Sequence, residues 1–206
     1  MRASGEIILG FLRRFTAPKA KIELKLNEAV YETRDKMEGR ILVDSQEDVE
    51  MSGFKLEFNP TATVKWKSGW SSFNESSGIE GTDIPVGEAV KLQKGQQYEQ
   101  PFQVNIPFWS KPDPFTEIEV KVKAVATIEG RPDLTHQIQP VISCPYVIEC
   151  LEDFGGCGFV TQPLSQPIET CPNCNRSLKD IWDQKYREMA KAMASNQRPM
   201  RTGRRI

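Results

Sequence analysis

Histidine occurs once in 206 residues, at His136. That scarcity excludes most acid–base and nucleophilic designs, because a Ser/His/Asp or Cys/His constellation needs an imidazole oriented by a third group. His136 follows a turn and opens a strand, where a structural role is the ordinary one. The chain also lacks a glycine loop of the kind that cradles phosphate, since Gly155-Gly156-Cys157-Gly158 belongs with a cysteine knuckle. Carboxylates are numerous but fall on the wet faces of strands. These residues name no reaction, and the expectation is a protein that is not an enzyme.

Long apolar runs are missing as well. A membrane-spanning helix takes roughly 18 or more apolar residues, and no segment approaches that length. The apolar stretch at residues 7–12 is preceded by Glu6 and followed by Arg13 and Arg14, the reverse of a secretory signal. The expected location is therefore the cytoplasm, with peripheral membrane contact as an option. Five cysteines, an odd number, suit thiolate–metal chemistry in a reducing compartment better than disulfides. In such a chain Asn74-Glu75-Ser76 matches a glycosylation acceptor by chance. There is no internal repeat and no low-complexity tract.

The chain's composition, 27% charged and 38% hydrophobic, is that of a globular protein, and its length suits one domain plus a small module. The formal net charge is −1, unevenly spread. Residues 1–21 hold five basic groups and one acidic, residues 22–175 hold 13 and 24, and residues 176–206 hold nine and three. Both ends are basic and the body is acidic.

Period-two alternation recurs from residue 20 to about 148. Ile22, Leu24 and Leu26 alternate with charged neighbours, as do Phe54, Leu56 and Phe58, then Val64 and Trp66. Phe102, Val104 and Ile106 repeat the pattern, followed by Ile118, Val120, Val122 and Ala124. Half-buried strands of this kind belong to antiparallel sheets. Turn chemistry punctuates them at residues 33–36, 71–74, 93–95, 110–114 and 130–133, with no useful helical period between. The fold class expected is mainly β: an antiparallel, immunoglobulin-like sandwich, then a small cysteine module, then a C-terminal helix. The stretch from about 68 to 84, rich in Ser, Gly and Glu, reads as a long mobile loop.

The order of these segments resembles the arrestin fold family. Strand 22–26, Tyr31, Asp35, Gly39 and Ile41-Leu42-Val43 fill the opening places of that pattern. A strand at 53–58, a long variable loop, Gly95, Tyr98, Pro101-Phe102, Ile106-Pro107 and the long strand 118–128 follow in the family's order. The resemblance covers about residues 18–148 and implies a single sandwich of the N-terminal type. It is similar to the arrangement in sporulation-control relatives and the cargo subunit of retromer, which implies an adaptor. The chain has length for one sandwich only, so the switching of two-sandwich arrestins does not carry over. Arg34 stands where the family commonly has glycine, which implies a turn of different shape.

All five cysteines lie between positions 144 and 174. Cys171-Pro172-Asn173-Cys174 is a C-x2-C knuckle, and Gly158 after Cys157 is what a second knuckle usually carries. Four thiolates in a tetrahedron suit Zn²⁺, and a loop-rich module this small cannot fold on apolar burial alone. The ligand set expected is Cys150, Cys157, Cys171 and Cys174, holding a structural zinc. The usual first cysteine would fall at position 154, occupied by Phe154, so Cys150 must reach across a six-residue loop. Two other readings are open: a decayed ribbon without metal, or Cys144 in place of Cys150. Cys144, on the last strand near Ile142, otherwise reads as a core thiol.

From residue 177 to 194 the period becomes helical. Leu178, Ile181, Trp182, Tyr186, Met189 and Met193 form one stripe, with Asp180 and Asp183 early and Lys191 late. Such a stripe packs on the sandwich or a partner protomer, or, on the sharper reading, Trp182, Tyr186, Met189 and Met193 form a docking helix. Beyond it Arg198, Arg201, Arg204 and Arg205 stand in a polar tail. At the other end Ile8, Phe11, Leu12 and Phe15 share a helical face beside Arg13 and Arg14. That segment either lies on an anionic membrane or covers a sandwich edge.

The expected division is 1–17 amphipathic segment, 18–148 sandwich, 149–177 cysteine module, and 178–206 helix and basic tail. The expected function is an intracellular adaptor that binds a protein partner. A nucleic-acid binder using the ribbon and the Arg-rich tail is the alternative, weakened by the acidic body. A peripheral membrane role is compatible with either.

Overall fold

The computed structural model describes residues 16–196. Within them the strands are β1 (Ala20–Leu26), β2 (Val30–Glu32), β3 (Lys36–Ser45), β4 (Val49–Ser68), β5 (Ser71–Gly78), β6 (Thr82–Gly87), β7 (Val90–Leu92), β8 (Gln97–Asn105), β9 (Thr116–Ile128), β10 (Leu134–Ile138) and β11 (Val141–Ser143). A 3-10 turn at Glu152–Phe154 and the helix α1 (Leu178–Asn196) follow. One sheet runs β1-β3-β8, and the other runs β10-β9-β4-β5 with β6 and β7 also paired to β4. β11 pairs with β2 in a short parallel ladder. The chain is thus mainly β and antiparallel, with a C-terminal helix.

The described residues form two compact units. The first holds residues 16–61, 78–108 and 119–143, and the second holds 62–77, 109–118 and 144–196. This departs from the division at 148 and 177 expected from sequence, because the end of β4, all but the last residue of β5 and the start of β9 group with the cysteine module. The reason is apolar burial. Trp66 on β4 and Phe73 on β5 belong to the same cluster as Ile148, Cys150, Cys171 and the inner face of α1. A cysteine module too poor in apolar side chains to fold alone takes them from neighbouring strands.

In the first unit, alternation does what its period dictates. Leu24, Ile41, Val43, Phe102 and Val104 are buried from β1, β3 and β8, and Met51, Phe54, Leu56, Phe58, Val122 and Ala124 from β4 and β9. Phe54 of β4 stacks on Tyr98 of β8 with ring centroids 5.6 Å apart, so the two sheets meet face to face. The intervening residues carry charge: Lys55 pairs with Glu57 at 2.8 Å and Asp83 at 2.7 Å, and Lys123 reaches Glu57 at 2.9 Å. Exposed pairs of this type contribute about 1 kcal/mol or less each.

Residues 68–84 are not a long loop. β5 and β6 occupy most of that stretch, pairing in turn along β4. Sheet pairing uses the backbone, so a strand as polar as Ser71–Gly78 forms once β4 offers it a ladder, and only Phe73 of its eight residues is buried. The segment 71–74, expected as a turn, lies inside β5. The turn is earlier, at Gly69-Trp70, where Gly69 takes φ 58° in the first of two hairpin positions. The separate runs at 54–58 and 64–66 are likewise one continuous strand, β4, which passes through Pro60.

Arg34 takes φ 75°, the left-handed region that glycine enters freely. Its amide donates to the Ile106 carbonyl at 3.1 Å, Glu32 N donates to the Asp35 carboxylate at 2.7 Å, and the Arg34 guanidinium lies 4.1 Å from the Phe108 ring centre. These contacts offset the roughly 1–2 kcal/mol that a side chain costs there. His136 sits within β10, where Nδ1 accepts a hydrogen bond from the backbone N–H of Leu24 on β1 at 3.1 Å. Its imidazole serves the edge of the sandwich.

Gly39 shows how closely β1 and β8 flank β3. A Cβ at this position would lie 2.3 Å from the Lys25 carbonyl oxygen and 2.8 Å from the Phe102 ring. We predict that Gly39→Ala destabilises the protein by about 1–3 kcal/mol, seen as a lower denaturation midpoint. An unchanged midpoint would mean that the strand spacing is looser than described.

Candidate metal centre

Two short arms carry the cysteines. In the first, Tyr146 bridges Leu164 and Glu149 bridges Val160, and Thr161 Oγ1 accepts from the Ile148 amide at 2.9 Å. Cys150 N donates to the Phe159 carbonyl and Gly158 N to the Cys150 carbonyl, both at 2.8 Å. The six residues between Cys150 and Cys157 are folded up rather than spanned. The 3-10 turn takes up Glu152–Phe154, Gly155 takes φ 83°, and Gly156 N donates to the Leu151 carbonyl at 2.7 Å. A Cβ on Gly156 would stand 2.4 Å from the Cys150 carbonyl oxygen. Glycine there lets the loop close, which is how Cys150 arrives where a cysteine at position 154 would otherwise be expected.

The second arm closes at the bridge between Thr170 and Ser177. Cys171 N donates to the Arg176 carbonyl at 2.8 Å and Asn175 N to the Cys171 carbonyl at 2.9 Å, with Asn175 at φ 60°. Arg176 also donates to the Gly155 carbonyl, tying one knuckle to the other. Ser177 then caps α1, its Oγ accepting from Asp180 N at 3.1 Å.

The result is four thiols in one place. The sulfurs of Cys150, Cys157, Cys171 and Cys174 all lie within 4.8 Å of one another. Cys150 Sγ is 3.6 Å from Cys174 Sγ, and Cys157 Sγ is 3.7 Å from Cys171 Sγ. A tetrahedral ion with metal–sulfur bonds of about 2.3 Å would set such edges at about 3.8 Å. The donor set therefore fits a thiolate-bound tetrahedral cation, whereas disulfide sulfurs stand at about 2.0 Å.

Electrostatics divides the four. Burial pushes the Cys150 thiol up to about 12, so its thiolate form calls for a nearby positive charge. Cys157 is drawn down to about 6, first by the Asn173 side-chain amide, which donates to its sulfur at 3.3 Å, and then by backbone N–H donation. Cys157 N in turn donates to Cys150 Sγ at 3.4 Å. Donors of this kind orient ligand sulfurs and stabilise their charge. Cys144 is buried after the end of β11 rather than on it, and it is not one of the four. Burial raises its thiol as well.

The cysteines are also part of an apolar core. Cys150 and Cys171 are 0% exposed, packed with Ile148, Trp66, Phe73, Leu178, Ile181, Trp182 and Tyr186. Every large polar tip in this cluster has a partner. Trp66 Nε1 donates to Asp183 at 2.7 Å, Trp182 Nε1 to the Glu149 carbonyl at 2.9 Å, and the Tyr186 hydroxyl to Asp113 at 2.7 Å. Asp113 is buried and also accepts from Phe115 N and Thr116 Oγ1, both at 2.7 Å. Burial, followed by the Asp113 bond and charge, raises the Tyr186 phenol above its ordinary value. By its place in the 110–114 turn, Asp113 is a turn residue in sequence. The Asp-x-x-Thr spacing signalled a side-chain-closed turn, but nothing in the chain order pointed to Tyr186, 73 positions away.

The expected docking stripe splits. Trp182 and Tyr186 are 4% exposed and covered by their own unit, while Met189 and Met193 are 37% and 45% exposed. α1 runs on to Asn196, so Lys191 falls short of its last turn. Ile8, Phe11, Leu12, Arg13, Arg14 and Phe15 lie outside the described residues, as do Arg198, Arg201, Arg204 and Arg205. Among the described residues no helix is long and apolar enough to cross a membrane.

No family model matches the chain, and no curated protein matches it. Among solved structures, the sporulation control protein Spo0M of Bacillus subtilis matches with 17% identity and a TM-score of 0.46. The match covers 60% of this chain and 49% of that one. A likeness so distant, spanning about half of that protein, assigns no family and no activity.

The four-sulfur geometry predicts one tightly held divalent ion per chain, measured by elemental analysis of the purified protein. Serine at any one of positions 150, 157, 171 or 174 should lower metal content at least about tenfold, while Cys144→Ser leaves it unchanged. Full metal content in Cys150→Ser would remove Cys150 from the ligand set.

Proposed function

We propose that the chain is a non-enzymatic adaptor whose second unit is held together by a structural Zn²⁺ on Cys150, Cys157, Cys171 and Cys174. The observation that carries the reading is the closed set of four sulfurs. Zinc with four protein thiolates has no open position for water or substrate, so the ion stabilises rather than reacts. Softness of the ligands and the tetrahedral edge lengths favour Zn²⁺ over harder cations. His136 is engaged with a backbone amide, which fits the same reading.

What such a protein offers is surface. Its sandwich presents charged sheet faces and turns, and the resemblance to arrestin-like adaptors suggests a protein partner. The zinc module adds a second face, with Val160 49% exposed beside its first knuckle. The location expected is the cytoplasm, where thiolates stay reduced.

Quantitative affinity capture with the full-length chain tests this reading. The expected result is a stoichiometric protein partner retained by the wild type at physiological salt. Nuclease treatment should leave it bound, and Cys171→Ser should reduce it at least about fivefold. Co-purification of nucleic acid alone, lost on deleting residues 197–206, would replace the adaptor with the nucleic-acid reading.

A further inference from the structure

The four clustered cysteines differ in exposure. Cys150 and Cys171 are fully buried, whereas Cys157 and Cys174 each keep part of their surface in solvent. The first arm carries Cys150 and Cys157, and the second carries Cys171 and Cys174. Each arm thus has one sheltered cysteine and one that a small solute can reach, and access of this kind governs thiol reactivity.

The close sulfur contacts join a sheltered cysteine to an accessible one, and both cross between the arms. Cys150 Sγ lies 3.6 Å from Cys174 Sγ, and Cys157 Sγ lies 3.7 Å from Cys171 Sγ. Disulfide sulfurs stand at about 2.0 Å, so each pair needs roughly 1.6 Å of approach to bond. Other contacts already hold the arms together. Arg176 of the second arm donates to the Gly155 carbonyl of the first, and Asn173 donates to Cys157 Sγ at 3.3 Å. α1 ties both: Leu178 N donates to the Glu169 carbonyl at 2.8 Å and Trp182 Nε1 to the Glu149 carbonyl at 2.9 Å.

We propose that this cluster is a site of oxidation by peroxide, at which Cys157 bonds Cys171 and Cys174 bonds Cys150. In the first step the accessible thiolate attacks one peroxide oxygen. The O–O bond breaks, hydroxide leaves, and a sulfenic acid remains on the cysteine. The buried partner sulfur then attacks the sulfenic sulfur, so that an S–S bond forms and the S–O bond breaks, releasing a second hydroxide. Each pair gives two electrons to one peroxide, and two protons turn both hydroxides into water. Because the partner is in contact, the sulfenic acid is consumed before a second peroxide can carry it to sulfinic acid. With both bridges closed no thiolate remains to hold an ion, and the bridges themselves join the two arms. A bridge within one arm would not. The inference rests on the four-thiolate reading of the site and is independent of the adaptor reading.

The test uses the full-length chain, purified under reduction, with its metal content measured first. Hydrogen peroxide is added, and the protein is alkylated under denaturing conditions and cleaved after glutamate without reduction. Cuts after Glu149, Glu152 and Glu169 place Cys144, Cys150, Cys157 and the Cys171–Cys174 knuckle on separate peptides. The expected result is the Cys150 and Cys157 peptides both bonded to the knuckle peptide, with fragmentation inside the knuckle assigning Cys174 and Cys171 respectively. Consumption should end at about two equivalents of peroxide per chain, with any bound ion released to a chromogenic chelator in step. The near-ultraviolet dichroism of the oxidised chain should match that of the reduced one, and Cys144→Ser should form both bridges unchanged. Bridges confined within an arm, Cys150 bonded to Cys171, bridges between chains, or sulfinic acid in place of a bridge would each overturn the proposal. So would four thiols still open to alkylation at about tenfold excess of peroxide. A reduced chain that holds no metal yet forms both bridges would uphold this inference and remove the zinc reading.

Discussion

Cys150 and Cys171 have no exposure to solvent, yet as ligands of a metal they would carry negative charge. A thiolate buried among Trp66, Phe73, Leu178 and Trp182 is tolerable only beside a cation or as a neutral thiol. The charge state of two sulfurs and the packing of α1 are therefore one problem. When a cation compensates the thiolates, the same sulfurs fill space under the helix and hold the two knuckles together. Asn173, the Cys157 amide and the tie from Arg176 to the Gly155 carbonyl then maintain the ligand geometry.

Its large side chains follow the same logic. Trp66, Trp182 and Tyr186 bring bulk that a small module needs, and each ends in a donor that must be satisfied when buried. Asp183, the Glu149 carbonyl and Asp113 accept those donors. Among the described residues no buried side-chain nitrogen or oxygen lacks a partner. This full satisfaction makes the neglect of Trp70 conspicuous, since an equally large indole stands in water a few residues away.

In the first unit the constraint is different: strand spacing rather than charge. Gly39 admits the Lys25 carbonyl and the Phe102 ring, and Arg34 accepts a left-handed backbone to keep its turn. His136 gives its ring nitrogen to the amide of Leu24. These are local adjustments that let alternating strands meet face to face.

Much of this was legible along the chain. Alternation at 22–26, 54–58, 102–106 and 118–124 named the strands and their inner faces, because side chains on a strand change sides at every residue whatever lies around them. The clustering of Cys150, Cys157, Cys171 and Cys174 was legible for a similar reason: knuckle chemistry is written into short spacings, and the need for a fourth sulfur pointed to Cys150. Through-space neighbours decided the rest. The polar run 68–84 became β5 and β6 because β4 supplied backbone partners, which side-chain composition does not report. The helical stripe was correct as a stripe, but how much of it is covered depends on strands more than 100 positions earlier. Asp113 looked like a turn residue until Tyr186 arrived. Periodicity and spacing are properties of neighbours in sequence and can be read there. Burial is a property of neighbours in space, and for Trp66 and Trp70, four residues apart on one hairpin, it gave opposite answers.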